Sequence, residues 1–289
     1  MPSLPTTNLT LHCDASDTDK LFTTYNVSGV HSGVPADGGA VQVWDDEVDG
    51  IADIAMIYAA SGTEPSYRSI TPLMLNPCLD FDGSDDQLIA YNQIGTLTKV
   101  LSDLITNSDF TLFVAFYAES ITANTAAIYN NHVVFGDNGQ YMGLLLRIVS
   151  GQAKVIAYNW DGNADSVEID ISVSTSYVAR IRHTGGNLYL SINGGSESSV
   201  ASGNTSVLTG APKVGFSSSG STYFNGRIGE FAVYNINLAG SDLNDATTYF
   251  TDKWIGGSLV KTYKGLATNL VKTVKGLAIA SRKTKKGLA

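Results

Sequence analysis

Glu168 and Asp170 are the residues of this sequence whose types and spacing come closest to acid–base chemistry. They alternate within a strand-like run, so both carboxylates would point to one face of a sheet. Hydrolysis of a glycosidic bond uses two carboxyl groups, one of which donates a proton to the leaving oxygen. The next position on that face is Ser172, or Val173 if the strand contains an extra residue, and neither can donate that proton. We therefore interpret the pair as the exposed polar face of a strand.

A second group combines an aromatic ring with planar polar side chains, and it consists of Trp160, Asp161 and Asn163. These residues offer a sugar an apolar surface and hydrogen-bonding groups, so they are the candidate carbohydrate-binding residues. The segment also begins like a calcium loop, because Asp161, Asn163 and Asp165 alternate, but serines replace the glycine and the final glutamate of an EF-hand. An ordinary Asp-Gly hairpin turn is the simpler alternative.

Asp82, Asp85 and Asp86 place three carboxylates within five residues. Carboxylate oxygens are the ligands that Ca²⁺ prefers, so these residues are the candidate metal ligands, and Ca²⁺ is the cofactor that they suggest. The alternative is turn chemistry after a strand, because aspartate readily forms local hydrogen bonds to the backbone.

Glu230 lies inside the apolar run 228–234, where a carboxylate should be buried and paired. Arg227 and Arg180 are its candidate partners, and we expect the pair to be structural. The two cysteines, Cys13 and Cys78, lie in separate apolar stretches and are expected to be buried free thiols, although a disulfide between them stays open.

These side chains must be positioned by strands, because short alternating runs separated by glycine, asparagine, aspartate and serine dominate the sequence. The runs cover residues 110–117, 141–149, 153–158, 167–173, 177–182, 188–192, 213–216 and 227–234. Each is rich in β-branched or aromatic residues, and turn residues recur at intervals of roughly ten residues. The pattern predicts an all-β fold of two antiparallel sheets.

Two short helices are predicted beside the sheets. Apolar residues recur at helical spacing over residues 97–104 and again over residues 243–254. Ser241 is the expected N-cap of the second helix, with Asp242 in its first turn.

The last 32 residues differ from the rest, because they contain three copies of Lys-Thr-x-Lys-Gly-Leu-Ala at intervals of 11 residues. They carry eight basic and no acidic residues, so the remaining chain has a net charge of −17. A domain with this much negative charge, residues 1–257, should repel nucleic acid. We predict that the repeats form a β-rich tail that orders on another subunit and acts in assembly. The alternative is electrostatic docking of the tail on its own or a neighbouring acidic domain. The key residues of the tail are Lys261, Lys264, Gly265, Lys272, Lys275, Gly276, Lys283, Lys286 and Gly287.

Several stretches together resemble the laminin G-like, concanavalin A-like lectin superfamily, of the type found in phage and environmental bacterial sequences. They are residues 9–16, 41–46, 79–86, 110–112 and 224–235, the last being followed by the helix that ends at Trp254. The tail is similar to repeats at the C-termini of phage structural proteins, in which asparagine stands where this chain has Lys264, Lys275 and Lys286.

The resemblance covers about residues 7–256 and implies a two-sheet jelly roll, so we predict a jelly-roll domain at 1–257 followed by the repeat tail at 258–289. Hydrolases of the laminarinase type share this fold and use a strand that reads Glu-x-Asp-x-Glu. Ser172 takes the place of the last glutamate here, so we expect that the chain is not an enzyme.

We predict a structural protein of a tailed-phage virion, either a capsid decoration or a fibre or tail attachment protein. Its expected partners are other virion proteins, further copies of itself in a homo-oligomer such as a trimer, and a host surface glycan. No signal peptide and no apolar run of membrane-spanning length is recognisable, which fits assembly in the host cytoplasm. The alternatives are a lectin module acting in its own right and, disfavoured by Ser172, a glycoside hydrolase.

Overall fold

A computed structural model describes the body of the chain in segments. The described residues are 3–26, 31–48, 54–58, 60–70, 74, 76–92, 98–99, 101–106, 109–121, 132–137, 142–160, 164–203, 211–217 and 222–256. Within these segments, no helix has the length and apolar character needed to span a membrane.

The described elements are nineteen strands, one 3₁₀ helix (Thr18–Lys20) and two α-helices, α1 (Leu101–Leu104) and α2 (Gly240–Trp254). In chain order the strands are β1 (Leu9–Asp14), β2 (Leu21–Phe22), β3 (Val43–Asp45), β4 (Ile54–Tyr58), β5 (Ser66–Arg68), β6 (Cys78–Asp82), β7 (Leu88–Asn92), β8 (Phe110–Ser120), β9 (His132–Asp137), β10 (Met142–Val149), β11 (Gln152–Trp160), β12 (Ala164–Asp170), β13 (Thr175–Thr184), β14 (Asn187–Ile192), β15 (Ser198–Ala201), β16 (Pro212–Val214), β17 (Phe216–Ser217), β18 (Thr222–Tyr223) and β19 (Asn225–Tyr234).

Most strands form two antiparallel sheets. The back sheet has eight strands in the order β15-β14-β13-β8-β19-β6-β5, with β1 also paired to β19. The front sheet has nine strands in the order β12-β11-β10-β9-β16-β7-β4-β3-β2. Strands β17 and β18 form a small separate ribbon. This arrangement confirms the predicted all-β, two-sheet jelly-roll sandwich.

The two sheets share one hydrophobic core, because alternate side chains of each sheet point inwards. The Phe231 ring of the back sheet contacts two rings of the front sheet, with its centroid 5.0 Å from that of Phe135 and 5.1 Å from that of Trp44. All three side chains are buried. Aromatic residues of this size bury enough apolar surface to hold the sheets together.

Helix α2 packs on the outer face of the back sheet. The Phe250 ring stacks on Phe113 of β8 at a centroid distance of 5.0 Å, and Ala246 and Trp254 are buried on the same side of the helix. A bulge between Ile228 and Glu230 shifts the alternation of β19, so that Glu230 faces α2.

The boundaries differ from the sequence expectations in three places. The predicted N-cap Ser241 is wrong, because α2 already begins at Gly240, whose φ is +58°, and its N-cap is Ala239. The predicted strand 167–173 ends at Asp170, and the chain then turns through Ser174, whose φ is +59°. The predicted strand 213–216 is interrupted at Gly215, whose φ is +86°.

Other expectations are confirmed or lie outside the described residues. Both cysteines are buried and unbonded to each other, as predicted. The first predicted helix is present over Leu101–Leu104, whereas residues 97 and 100 are not described. The predicted tail, 258–289, also lies outside the described residues, so the division into body and tail stays a prediction.

Gly229 tests the packing of α2 on β19. A Cβ atom at this position would lie 2.2 Å from the Trp254 ring, so Gly229→Ala should displace the ring and cost about 2 kcal/mol of unfolding free energy. Urea denaturation measures this loss. The control is Gly203→Ala, whose added methyl group would meet no atom within 4 Å and should change stability by less than about 0.5 kcal/mol. Equal stabilities of the two variants would contradict the packing.

Candidate functional site

The outer face of the front sheet is identified from the register of its strands. Trp44, Met56 and Ala90 form one row across β3, β4 and β7, and all three are buried in the core. Because neighbouring rows point to opposite faces, the next row faces outwards. That row consists of Asp45, Ala55 and Tyr91.

Five partly exposed rings gather on this face or, in the case of Tyr58, at the end of its strand beside it, and we call them the aromatic patch: Phe22, Tyr25, His31, Tyr58 and Tyr91. Phe22, Tyr58 and Tyr91 belong to β2, β4 and β7, while Tyr25 and His31 lie in the segments that follow β2. Four of the rings pack on an apolar floor made by the buried side chains of Val43, Ala55 and Ile57. The sheet therefore holds the patch on rigid elements.

The rings contact one another within ordinary aromatic distances. His31 stacks on Tyr25 with a centroid distance of 5.7 Å and lies 5.6 Å from Phe22. Tyr58 meets Tyr25 edge-on at 6.4 Å. These contacts restrict the orientations of the four rings that make them, so this part of the patch is a preorganised aromatic surface.

The tyrosine side chains of the patch also carry hydroxyl groups that lie near one another. Burial raises the pKa of the Tyr25 hydroxyl, and the neighbouring Tyr58 and Tyr91 raise it further. The Tyr25 phenol therefore stays neutral at neutral pH and can both donate and accept hydrogen bonds. An apolar surface edged by such hydroxyls can hold a polyhydroxylated ring.

Sequence reasoning did not identify the aromatic patch. Tyr58 follows Tyr25 by 33 residues and Tyr91 follows Tyr58 by another 33, and only the pairing of β2, β3, β4 and β7 brings them together. No local motif marks them, although each lies in or beside an apolar run.

The residues that the sequence suggested for carbohydrate binding lie elsewhere. Trp160 ends β11, which is separated from β7 by β10, β9 and β16. The side chain of Trp160 and the residues Asp161 and Asn163 lie outside what the structure describes, so their role stays a prediction.

The carboxylates of Glu168 and Asp170 share one cation. Lys154 Nζ lies 3.1 Å from Glu168 Oε1 and 2.7 Å from Asp170 Oδ1. The two carboxylate side chains are 41% and 66% exposed, which agrees with the expected polar face of a strand. These hydrogen bonds, that to Asp170 first, raise the pKa of Lys154, so the lysine remains a cation between them.

The acidic loop, residues 82–86, brings its three aspartates together as expected. Their carboxylate oxygens lie within 4.8 Å of one another. The Asp86 carboxylate accepts a hydrogen bond from the Asp82 backbone N–H at 2.7 Å, and Asp82 in turn accepts one from Ser84 N–H. Burial raises the pKa of Asp86 to about 7, and the negative charges of Asp82, Asp85 and Asp80 raise it further against the lowering effect of that hydrogen bond.

The acidic loop fits a calcium ion, because carboxylate oxygens at these separations could converge on one cation. A divalent cation would also relieve the repulsion among the three carboxylates. Whether Ca²⁺ binds stays a prediction.

Glu230 is buried and paired, but not with the predicted partners. Its Oε1 accepts a hydrogen bond from His12 Nε2 at 2.7 Å, and its Oε2 accepts from Trp254 Nε1 at 2.6 Å and from Lys253 Nζ at 2.8 Å. The prediction of Arg227 or Arg180 is wrong, because the bulge in β19 turns Glu230 towards α2 and β1.

The two arginines form other ion pairs. Arg227 lies 3.2 Å from Asp80, and Arg180 lies 3.0 Å from Glu197. Neither arginine is therefore needed to neutralise Glu230.

The charges around Glu230 balance one another, and we call Glu230, His12, Lys253 and Asp14 the buried ion cluster. Burial alone would raise the pKa of Glu230, but His12 and Lys253 hold it below its usual value. Burial disfavours the charged form of His12, yet the hydrogen bond to Glu230 raises its pKa overall. Lys253 also donates to Asp14. Because Glu230 is completely buried, the buried ion cluster ties α2 to β1 and β19 rather than meeting a ligand.

Comparisons with known proteins agree with this architecture. A laminin G-type family model, described as the concanavalin A-like lectin/glucanases superfamily, matches residues 90–244. No curated protein sequence matches the chain.

Among solved structures, the sialidase of Trypanosoma rangeli in complex with sialic acid matches with a TM-score of 0.54 and 14% identity. The match covers 87% of this chain and 34% of the sialidase chain. The binding domain of Paraclostridial Mosquitocidal Protein 1 matches with a TM-score of 0.51 and 11% identity, over 84% of this chain and 52% of that one. Domain 4 of AbnA, a GH43 extracellular arabinanase from Geobacillus stearothermophilus, in complex with arabinotriose, matches at 11% identity with a TM-score of 0.44, over 83% of this chain and 98% of that one.

These matches correct one expectation. The prediction that the chain is not an enzyme is contradicted, because its fold recurs in a sialidase as well as in a binding domain. At such low identity the likeness shows the shared fold, and the replacement of one glutamate by Ser172 does not exclude catalysis by other residues.

Calcium should stabilise the protein through the acidic loop. At saturating Ca²⁺ we expect the melting temperature to rise by about 5 °C relative to chelator, because the ion binds the folded state only. The rise should be larger at pH 8 than at pH 6, since Asp86, with a pKa of about 7, must lose its proton to bind.

Differential scanning calorimetry with and without chelator measures this effect. Asp82→Asn and Asp86→Asn should abolish the rise, whereas Asp245→Asn on the exposed side of α2 should preserve it. A melting temperature that is identical with Ca²⁺ and with chelator would remove the calcium site.

Proposed function

The chain belongs to the concanavalin A-like lectin and glucanase superfamily, and we propose that it is a glycan-binding module whose aromatic patch receives the sugar. The superfamily has a carbohydrate-binding fold, and one structural neighbour is a sialidase in complex with sialic acid. The chain spans 34% of that sialidase's length, so the likeness supports the fold and leaves the ligand to be argued from the residues.

The observation that carries the proposal is that Tyr25 and Tyr91 meet over the outer-face floor of Val43, Ala55 and Ile57, with Tyr58, the last residue of β4, against the Tyr25 ring. Sugar rings have apolar C–H faces and hydroxyl edges, so they bind where aromatic surfaces and hydrogen-bonding groups occur together. Partly exposed tyrosines supply both, and the floor of Val43, Ala55 and Ile57 fixes their positions. A packing role alone would not require three tyrosine side chains to lie together at the surface.

We also propose that the module is a structural component of a tailed-phage virion and that its repeat tail attaches it there, among other virion proteins and copies of itself. The support is the triple repeat, with eight basic residues and no acidic ones, beside a body whose net charge is −17. A strongly cationic segment can bind an acidic protein surface by charge complementarity. In this arrangement the jelly-roll domain would bind host glycans while the repeat tail binds the virion.

The aromatic patch is tested by removing single rings. Tyr25→Ala and Tyr91→Ala should each weaken binding to a glycan by about tenfold, or about 1.4 kcal/mol, because each removes one stacking surface and one hydroxyl. A glycan array identifies the ligand, and isothermal titration calorimetry measures its affinity.

The matched control is Tyr189→Ala. Tyr189 is also partly exposed and stacks under Arg182, but it lies on β14 of the back sheet. Equal losses from the control and the patch variants, or no bound glycan at all, would reject the patch as the binding site.

The attachment role is tested with a phage whose gene for this protein lacks the codons for residues 258–289. We expect the shortened protein to fold but to be absent from purified particles, as judged by immunoblotting and electron microscopy. Full incorporation of the shortened protein would contradict the proposed role of the repeats.

A further inference from the structure

A second pair of aromatic rings lies on the small ribbon formed by β17 and β18. The ring centroids of Phe216 and Tyr223 are 4.8 Å apart, and the two ring planes are inclined by 33°. Both side chains are partly exposed, and Lys213 Nζ lies 4.8 Å from the centroid of the Phe216 ring. We call Lys213, Phe216 and Tyr223 the ribbon site.

The ribbon site begins on the same sheet face as the aromatic patch. Lys213 of β16 lies opposite Ile89 of β7, and Ile89 lies opposite Ile57 of β4. Ile57 belongs to the floor of the aromatic patch, so the row that forms this floor continues through the partly exposed Ile89 to Lys213. At the usual strand spacing, Lys213 is about 10 Å from Ile57. One row of side chains therefore joins the two groups of rings.

The two groups of rings are separated by more than the width of one sugar. Phe216 follows Lys213 by three residues along the chain, and Tyr91 follows Ile89 by two. Because β16 and β7 are antiparallel and Lys213 lies opposite Ile89, these steps lead in opposite directions. At the usual rise and strand spacing, Phe216 and Tyr91 are about 17 Å apart. A single sugar ring does not reach both of them, whereas a chain of several sugars does.

The ribbon site has the chemistry of a sugar-binding position. Phe216 offers an apolar ring, Tyr223 adds a phenol that donates and accepts hydrogen bonds, and Lys213 has an ammonium donor. Burial lowers the pKa of Lys213, so water is partly excluded around its ammonium group. A hydrogen bond donated to a sugar hydroxyl is stronger there than at a fully solvated lysine.

Resting on the proposed glycan-binding function, we propose that the ribbon site is a second sugar-binding position, so that the module binds a linear oligosaccharide along its chain rather than a terminal sugar alone. One end of the oligosaccharide lies on the aromatic patch, its middle passes over Ile89 and Lys213, and its other end meets Phe216 and Tyr223. A ligand that reaches both positions gains affinity because its second contact is made within the same complex.

The test measures affinity against chain length by isothermal titration calorimetry. The probes are linear chito- and cello-oligosaccharides of two, four and six residues, together with fragments of equal lengths from any polysaccharide that a glycan array identifies. For the series that binds, the dissociation constant of the wild-type chain should fall by about tenfold or more between the disaccharide and the hexasaccharide.

Phe216→Ala and Tyr223→Ala should remove this gain and leave the affinity for the disaccharide within about twofold, which also shows that the variants are folded. Lys213→Met keeps the length of the side chain and removes the ammonium group, so it should reduce the gain. Tyr25→Ala should weaken binding at every chain length, whereas Tyr189→Ala on the back sheet should leave all the affinities unchanged.

Two results would overturn the ribbon site and uphold glycan binding. One is an equal affinity of the wild-type chain for all chain lengths. The other is a gain with chain length that survives in both Phe216→Ala and Tyr223→Ala. Binding to none of the oligosaccharides, nor to any glycan of the array, would overturn the proposed function together with the ribbon site.

Discussion

The buried carboxylate of Glu230 is the interaction on which the arrangement of the molecule depends. A completely buried charge is tolerated only when cationic and neutral donors surround it, and Glu230 has His12 from β1 and Lys253 and Trp254 from α2. These contacts tie the first strand of the body to its last helix across the outer face of the back sheet. Removing one partner would leave an unpaired buried charge, so β1, β19 and α2 must stay together.

Helix α2 packs on the outer face of the back sheet, which leaves the outer face of the front sheet for the proposed glycan binding. The outer face of the back sheet buries Phe113 and Tyr234 beneath or beside the helix. The outer face of the front sheet instead carries partly exposed rings over a small apolar floor. The strict alternation of side chains makes this division depend on register, because a slip of one residue in β3 would exchange Trp44 with Asp45. Core packing of Trp44 against Phe231 therefore also keeps Asp45 at the surface.

Much of the fold follows from the sequence, because alternation and turn residues are local signals. The runs at residues 110–117 and 227–234 predicted two strands, which the structure places at the centre of the back sheet, and the position of Glu230 in an apolar run predicted its burial. Its partners could not be predicted, since a single bulge decides which way the side chain points. The aromatic patch was missed for a similar reason, because it depends on strand pairing between segments far apart in the chain. The three aspartates of the acidic loop were found because their proximity is already present in the sequence.

We propose the outer face of the front sheet as the glycan-binding surface, and the most direct measurement is an NMR titration of the isotope-labelled chain with an oligosaccharide identified on a glycan array. Backbone amides of β2, β3, β4 and β7 should shift together along one binding curve, while those of α2 remain unchanged. Shifts confined to the turn between β11 and β12, or to the elements around α2, would contradict this account.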